Sequence, residues 1–562
     1  MTTAGRGGGP AVVRLSVPAA ALVAAAGLFG CGSSGSSTAV EPIPSSAVDV
    51  PSELAVVSLG DGECSGTFVA QDLPHVTKGP GATSSTFDGT GAGIALGDLD
   101  GDGDLDVVAP NLSGESSILW QDAEGYRAET LEVGRFRQAT TLDVEGDGDL
   151  DIVLTTGIGP PLLFRNTAGA FTRERLPGVD ATAYSMAWSD LSGDGDLDVV
   201  TGSYNAELSI VRNSPVLGSD TGVVLHERTT AESYMATRLA ADAQALAVLL
   251  VDVDGDGRLD VVVGNDLATP DGVWIDNDGG WLEIEPFTTT SLSTMSLDAA
   301  DVDGDGDLDL FSTDMKPRAD DLDPERYVEV ERDIVALGQL DEVQIPANVL
   351  SLSDADGFAD AAVDLGVDAT GWSWAGLFGD LDSDGRQDLY VVTGMRSDQL
   401  FSALPGDLLV EPNQAFANTG DGFELRPDWG LDDLAGGRGM AMGDVDGDGD
   451  LDVVVNNLDE PARLFENQLC GGSNLLVDLE WPGTANVDAI GALVVVESGD
   501  DRHVRQVDVS RGYLSGLPTT VHVGLGDDSG PVRISVRWPD GTRSDVDDVP
   551  VDHRVTITRA DG

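Results

Sequence analysis

The chain has 562 residues, with 99 acidic against 30 basic side chains and a formal net charge of −69 at pH 7. Such a surface repels nucleic acid, whose recognition needs basic patches. The length is enough for several ordinary domains.

Residues 1–30 carry Arg6 and Arg14 and no acidic residue, and an apolar stretch over 15–29 follows the second arginine. This is the pattern of a secretory signal. It ends in Leu28-Phe29-Gly30-Cys31, which resembles a bacterial lipobox, although Phe29 is larger than the residue usual at that place. The stretch is short and interrupted by Pro18, so it makes a poor membrane span. Cleavage before Cys31 would leave a thiol to carry diacylglycerol. Residues 31–59, rich in Ser, Gly and Pro, would then act as a tether. The expectation is an exported protein, attached to a membrane by lipid at Cys31 rather than by a transmembrane span, with plain secretion as the alternative.

From residue 98 onward nearly the same phrase recurs seven times, Asp-x-Asp-x-Asp-Gly-x-x-Asp, starting at residues 98, 143, 190, 252, 301, 380 and 444. Oxygens at positions 1, 3, 5 and 9, with the carbonyl of position 7, form the hard, flexible ring that Ca²⁺ selects. The first loop offers Asp98, Asp100, Asp102 and Asp106 with Asp104 at position 7. The second offers Asp143, Glu145, Asp147 and Asp151 with Asp149, and the third Asp190, Ser192, Asp194 and Asp198 with Asp196. The fourth has Asp252, Asp254, Asp256 and Asp260 with Arg258, and the fifth Asp301, Asp303, Asp305 and Asp309 with Asp307. The sixth has Asp380, Asp382, Asp384 and Asp388 with Arg386, and the seventh Asp444, Asp446, Asp448 and Asp452 with Asp450. Ser192 makes the third loop the weakest; Arg258 and Arg386 are harmless where only a carbonyl is needed. Up to seven Ca²⁺ are expected. An EF-hand would need helical flanks and Glu at position 12, and position 12 here is Ala109, Leu154, Thr201, Val263, Ser312, Val391 or Val455. Seven divalent ions would cancel about 14 charges, so the metal does not account for most of the acidity.

Loop starts are 45 to 79 residues apart, a period suited to one propeller blade each. Between them the text reads as strand and turn. Leu162-Leu163-Phe164-Arg165-Asn166, a short turn and Phe171-Thr172-Arg173 form a hairpin template. Echoes of its first half begin at Ser117, Leu208, Gly272, Gln414 and Arg463. The fold expected is all-β: a seven-bladed β-propeller over 60–469, which buries every sheet face and leaves only short edges, followed by a small all-β domain over 470–562. The long gap at 315–370, helix-compatible near 324–340, reads as an insertion on one face of the ring. The template also bears on the cysteines. Cys470 follows Leu464-Phe465-Glu466-Asn467, and Cys64 precedes Gly66-Thr67-Phe68. If the N-terminal strand completes the last blade, the two cysteines stand where its turn would be, and a Cys64–Cys470 disulfide staples the ring.

The loops resemble integrin-type FG-GAP (VCBS) repeats. The last stretch resembles the ASPIC/UnbV domain through Asn486-Val487-Asp488-Ala489-Ile490-Gly491-Ala492, Arg511-Gly512-Tyr513-Leu514-Ser515, His522-Val523-Gly524-Leu525-Gly526 and Arg537-Trp538-Pro539-Asp540-Gly541. Ala369-Thr370-Gly371-Trp372-Ser373-Trp374 is similar too, with Gly371 where an acidic residue is usual. The combination is that of cartilage acidic protein-like proteins. The resemblance implies a calcium-binding, extracytoplasmic propeller with no established reaction.

Catalytic signatures are absent from the text. The five histidines, at 75, 226, 503, 522 and 553, have no zinc spacing, and no Gly-x-Ser-x-Gly elbow occurs. Gly91-Ala92-Gly93 precedes a calcium loop rather than a phosphate-binding helix. Arg511, a planar fork for a carboxylate, and Tyr513, an amphipathic face, are the candidate partner contacts of the C-terminal domain, with a structural turn as the alternative. The function expected is a binding or adhesion module for a protein or glycan at the cell surface. The alternatives are an extracytoplasmic hydrolase or lyase using the propeller mouth, and a structural envelope protein.

Overall fold

The structure is a computed structural model that describes residues 47–560, apart from 61, 80–88, 124, 215, 217, 232, 278–279, 319–343, 355–356 and 395–409. The signal, Cys31 and the helix-compatible stretch at 324–340 lie outside the described residues.

Seven four-stranded antiparallel sheets follow one another along the chain. Their innermost strands are Ala95–Gly97, Ala139–Leu142, Ser185–Ser189, Ala245–Val251, Leu297–Ala300, Ser373–Gly379 and Gly437–Gly443. Each inner strand leads through an acidic loop into a second strand such as Asp106–Ala109. In the first sheet Val107, Val108 and Ala109 are fully buried. That is why the second strands read as unbroken apolar runs rather than alternating ones: both of their faces are covered. Outer strands such as Thr172–Arg175 are exposed and carry the charge. Successive sheets are joined by hydrogen bonds around the whole circuit. Thr141 Oγ1 donates to the Leu96 carbonyl (2.7 Å), Gln138 Nε2 to Met186 O (2.8 Å), and Gly376 N to Ser296 Oγ (3.1 Å). Asn456 Nδ2 donates to Gly93 O (2.8 Å), joining the seventh sheet to the first.

The outer strand of the seventh sheet is Val69–Val76, from the N-terminal end, paired antiparallel with Pro461–Glu466. Cys64 and Cys470 are disulfide-bonded there, with Cα atoms 5.4 Å apart across a sequence separation of 406. The two halves of the hairpin template therefore do meet, and a cross-link takes the place of the missing turn.

Three expectations about local structure are corrected. Asn205–Arg212, read as a strand echo, is an α-helix. Buried Glu207 on its first turn is bonded to Arg137 at 2.9 and 3.0 Å, and left-handed Asn213 closes its end by donating to the Ile210 carbonyl. The third strand of that blade is Val223–Thr230. Much of the supposed insertion at 315–370 belongs to the ring: Val349–Asp354 and Gly357–Asp360 are the two outer strands of the fifth sheet. Finally, the end of the tether is ordered. Ser52–Ser58 pairs with His553–Arg559 as the edge of a C-terminal sheet, because its Leu-Ala-Val-Val run finds an open strand edge only after the chain's last strand is laid down.

The C-terminal domain stacks that sheet, which also holds Asn474–Glu480 and Val521–Gly524, on a second of Asp501–Gln506, Leu493–Ser498, Val532–Arg537 and Arg543–Val549. Its core includes Trp481, Val494, Ile534, Trp538 and Ile557. It sits on the loop-bearing end of the ring: Asn486 N donates to Gly195 O (2.9 Å), Gly526 N to Ser383 O (2.9 Å), and His503 Nδ1 stands 3.0 Å from Gly385 O.

Residues 510–517 run from this domain into the centre of the ring. Gly512 N donates to Leu297 O (2.9 Å) and Gly516 N to Ile94 O (2.8 Å). Gly93 permits this approach, since a Cβ there would fall 1.5 Å from the Leu514 carbonyl oxygen. The Gly91-Ala92-Gly93 pattern is thus a packing feature. Tyr513 is fully buried; its hydroxyl donates to Thr90 O (2.9 Å) and lies 3.2 Å from that of Tyr184, and its ring packs against Trp374. Arg511 is held by Asp298 (3.3 Å), Asp508 (3.2 Å) and the Ala299 carbonyl (2.9 Å). The segment proposed as an outward contact is instead the plug of the propeller. An isolated Arg-Gly-Tyr-Leu-Ser turn reads as surface; the channel that receives it is assembled from several separate blades.

Candidate metal centres

All seven loops share one backbone scaffold. The position 1 carboxylate accepts backbone N–H groups from later in its own loop, as Asp98 does from Gly101 (2.8 Å) and Gly103 (3.0 Å). Those glycines have φ of +75° and +98°, left-handed values that explain why Gly recurs at positions 4 and 6. Position 9 has a second role. One oxygen of Asp106 accepts from Leu99 N (3.1 Å) and the other from Gln121 N (2.9 Å), at the end of the third strand. Asp151, Asp198, Asp260, Asp309, Asp388 and Asp452 repeat the arrangement. Position 9 therefore locks each loop to its own sheet while its remaining lone pairs face the loop centre.

In five loops, one oxygen from each of positions 1, 3 and 9 lies within 4.8 Å of the other two. These groups are Asp98/Asp100/Asp106, Asp252/Asp254/Asp260, Asp301/Asp303/Asp309, Asp380/Asp382/Asp388 and Asp444/Asp446/Asp452. The second and third loops do not form such a group among the described residues. Glu145 is turned into an ion pair with Arg165, and Ser192 has no carboxylate to give. Position 5 stays outside the groups as well. Asp102, Asp147, Asp194, Asp256, Asp305, Asp384 and Asp448 each accept the N–H of position 7, that is of Asp104, Asp149, Asp196, Arg258, Asp307, Arg386 and Asp450. The position 7 arginines pair with the position 5 carboxylates of their own loops: Arg258 with Asp256 (2.5 Å) and also with Asp276 (2.9 Å), and Arg386 with Asp384 (2.6 Å).

The electrostatics favour a cation. Burial pushes Asp106, Asp151, Asp198 and Asp260 up to about 7 and Asp309 up to about 8, and holds Asp388 and Asp452 well above the carboxylate range. Burial and like-charged neighbours likewise raise Asp446 to about 7. Three carboxylates converging on one point, the position 9 member buried in each group, repel unless a proton or a metal joins them. Asp382 Oδ1 is buried with no hydrogen-bond partner, as an oxygen kept for a metal would be. An all-oxygen set with several carboxylates suits Ca²⁺, so the residues present fit it at five of the seven loops.

Two groups of residues that the sequence reading passed over complete the site. The Asn closing the third strand links blades: Asn166, Asn418 and Asn467 donate through Nδ2 to the position 2 carbonyls of the preceding loops, Leu99 (2.8 Å), Val302 (2.9 Å) and Leu381 (2.8 Å). Gln121 does the same to Val445 (2.9 Å) and Arg228 to Val144 (2.6 Å). The recurrent Leu-Phe-x-Asn was the visible signal. The other group is basic and comes from the C-terminal domain. Arg537 stands 3.8 Å from Asp252, and Arg505 is attracted by Asp380 and Asp301. Nothing local in the sequence announces that pairing.

Comparison with known proteins agrees with this anatomy. The FG-GAP-like repeat family matches residues 143–201, 252–312 and 398–455, and the ASPIC and UnbV family matches 483–562. Cartilage acidic protein 1 of Xenopus tropicalis is 22% identical over 340 residues, 57% of this chain and 47% of that protein. The human protein of that name is 34% identical over 125 residues, 21% of this chain and 18% of its own length. The chain thus spans about half the length of the frog relative it matches and less of the human one. Among solved structures, a lectin of Agrocybe aegerita that recognises non-reducing terminal N-acetylglucosamine aligns at TM-score 0.37 and 15% identity, over 67% of this chain and 95% of that one. YCF48 bound to D1 peptide aligns at 0.39 and 10%, over 73% and 97%. Among the described residues no helix is long and apolar enough to cross a membrane. The chain thus carries FG-GAP-like repeats in its ring of sheets and an ASPIC and UnbV domain at residues 483–562.

Proposed function

We propose that this protein is an exported, calcium-stabilised propeller acting as a binding module for a protein or glycan at the cell surface. The observation that carries the reading is the position of the C-terminal domain. It covers the loop-bearing end of the ring and fills the centre with residues 510–517. Calcium at the loops would then rigidify blades and join the two domains, leaving the opposite end for a partner. That end is built from the connections between second and third strands, and Ile158, Ile210, Val211 and Leu267 on those connections are solvent-exposed. Exposed apolar side chains on one face mark interaction sites when they lie together. The disulfide and the cartilage acidic protein relatives support an oxidising, extracellular setting. Attachment through lipid at Cys31 is part of the proposal and is tested by radiolabelled palmitate incorporation into the wild type and Cys31→Ser.

The deciding experiment presents the purified domain, residues 47–562, to glycan arrays and envelope extracts, with calcium and with EDTA. Saturable, calcium-dependent capture without turnover, weakened by Ile210→Asp and Leu267→Asp, is expected. Product formation from any captured substrate would move the assignment to a hydrolase or lyase. Capture of nothing in either condition would point to a structural envelope role.

A further inference from the structure

A cavity of about 80 Å³ lies between the sixth and seventh blades and the C-terminal domain. Leu377, Met442 and Pro518 give it apolar walls, while Asp380, Asp508 and Arg505 bring charge to it. Arg505 is only 9% exposed. Its Nε donates to His522 O (3.3 Å) and its Nη1 to Val504 O (2.9 Å), but Nη2 is buried without a hydrogen-bond partner. His522 adds no charge, since burial holds its imidazole neutral.

The surrounding carboxylates are already committed. Asp508 is paired with Arg511, which also holds Asp298. Asp380 and Asp301 attract Arg505 through space, and both belong to candidate metal groups. With a divalent cation in the sixth loop, the attraction of Asp380 for Arg505 is weakened, and Arg505 is left as a less compensated buried guanidinium lining a cavity. A buried charge that loses part of its compensation is costly.

We propose that this cavity is a site for a small monovalent anion, held by Arg505 Nη2, whose affinity rises when the sixth loop holds its cation. The coupling rests on the calcium reading given above; the anion site itself rests on Arg505 and the cavity. The volume admits a halide or an acetate-sized carboxylate with a few waters. A dianion is disfavoured because Asp380 and Asp508 share the wall. The apolar walls suit the methyl group of a short carboxylate. By linkage, the anion raises calcium affinity at the sixth loop by the same factor that calcium raises anion affinity.

The test uses crystals of residues 47–562 grown with calcium and soaked in sodium bromide, with calcium and bromide located by their own anomalous signals. A bromide peak within about 3.5 Å of Arg505 Nη2 is expected, weakened after EDTA treatment. In solution, acetate or bromide should raise the melting temperature of the calcium-loaded protein relative to a bulky sulfonate at equal ionic strength. The apparent anion affinity should rise about tenfold with calcium. Arg505→Lys should abolish that dependence on anion identity; if the variant does not fold, the wild-type bromide map decides. Calcium in the sixth loop with no bromide at Arg505 overturns the anion site and leaves the calcium reading intact. Bromide of equal occupancy with and without calcium overturns the coupling. No calcium in the sixth loop overturns the calcium reading itself.

Discussion

Replacing Tyr513 by Ala tests whether the ASPIC segment is a plug or an outward contact. The side chain is fully buried, its ring centroid is 5.4 Å from that of Trp374, and its hydroxyl donates to Thr90 O at 2.9 Å. Truncating a buried aromatic residue costs about 3–5 kcal/mol. Losing the hydroxyl alone, in Tyr513→Phe, costs about 1–2 kcal/mol, because the Thr90 carbonyl loses a donor. A surface contact would cost within about 0.5 kcal/mol for either change. One kcal/mol moves the melting temperature by roughly 2–4 °C in a domain of 150–250 residues and by less in a longer cooperative unit. Differential scanning calorimetry in calcium should therefore show a loss of about 3–8 °C for Tyr513→Ala and a smaller loss for Tyr513→Phe. The alanine variant should also broaden or split the transition, since the plug is the segment that ties the C-terminal domain to the inner strands of several blades. A single sharp transition within about 1 °C of wild type would refute the plug.

Other consequences can be measured on the same protein. At calcium ten times the dissociation constant, linkage contributes about 1.4 kcal/mol per site, so five sites sum to roughly 7 kcal/mol, comparable to a domain's whole stability; a melting curve unmoved by excess EGTA would end the structural role of calcium. Asp301→Ala should cost more than Ser192→Ala, because Asp301 belongs to a three-carboxylate group and Ser192 does not. The Cys64–Cys470 bond closes so long a loop that the chain-entropy estimate is about 6 kcal/mol, an upper figure for real bonds. Reduction, or Cys64→Ser with Cys470→Ser, should speed hydrogen exchange first in Val69–Val76, and uniform acceleration over all blades would contradict its role as the closing staple. His226 is buried beside Thr201, and burial lowers its imidazole from 6.5 to about 4. The unfolded chain thus binds the extra proton between those values, and the group's contribution of up to about 3 kcal/mol is present above pH 6.5 and lost as pH falls toward 4. Denaturant titrations at pH 7 and 4.5 should show His226→Gln losing less stability than wild type over that interval, and equal losses would reject the assignment.

What the sequence determines here is what depends on neighbours within about ten residues or on repetition. The loop spacing, the glycine at position 6 (joined at position 4 by another in every loop but the sixth, which has Ser383) and the apolar run after position 9 specify a turn and a buried strand seven times over, and repetition makes them a ring. Even the disulfide was legible, because a hairpin whose two strands come from distant parts of the chain leaves two recognisable halves. What only the tertiary structure decides is which groups converge from far apart. Positions 1, 3 and 9 meet in five loops while position 5 does not, and position 9 is aimed there by an amide at the end of the third strand. Glu145 is drawn off by Arg165, a partner from a different strand. Tyr513, Arg511 and Ser52–Ser58 look solvent-facing as local text, yet each is placed by a surface that exists only once residues hundreds of positions away have folded around it. Local propensity carries no record of such surfaces: the pocket around Tyr513 is assembled from several blades, Arg511 is held by Asp298 of the fifth blade, and Ser52–Ser58, largely exposed, is ordered by pairing with His553–Arg559.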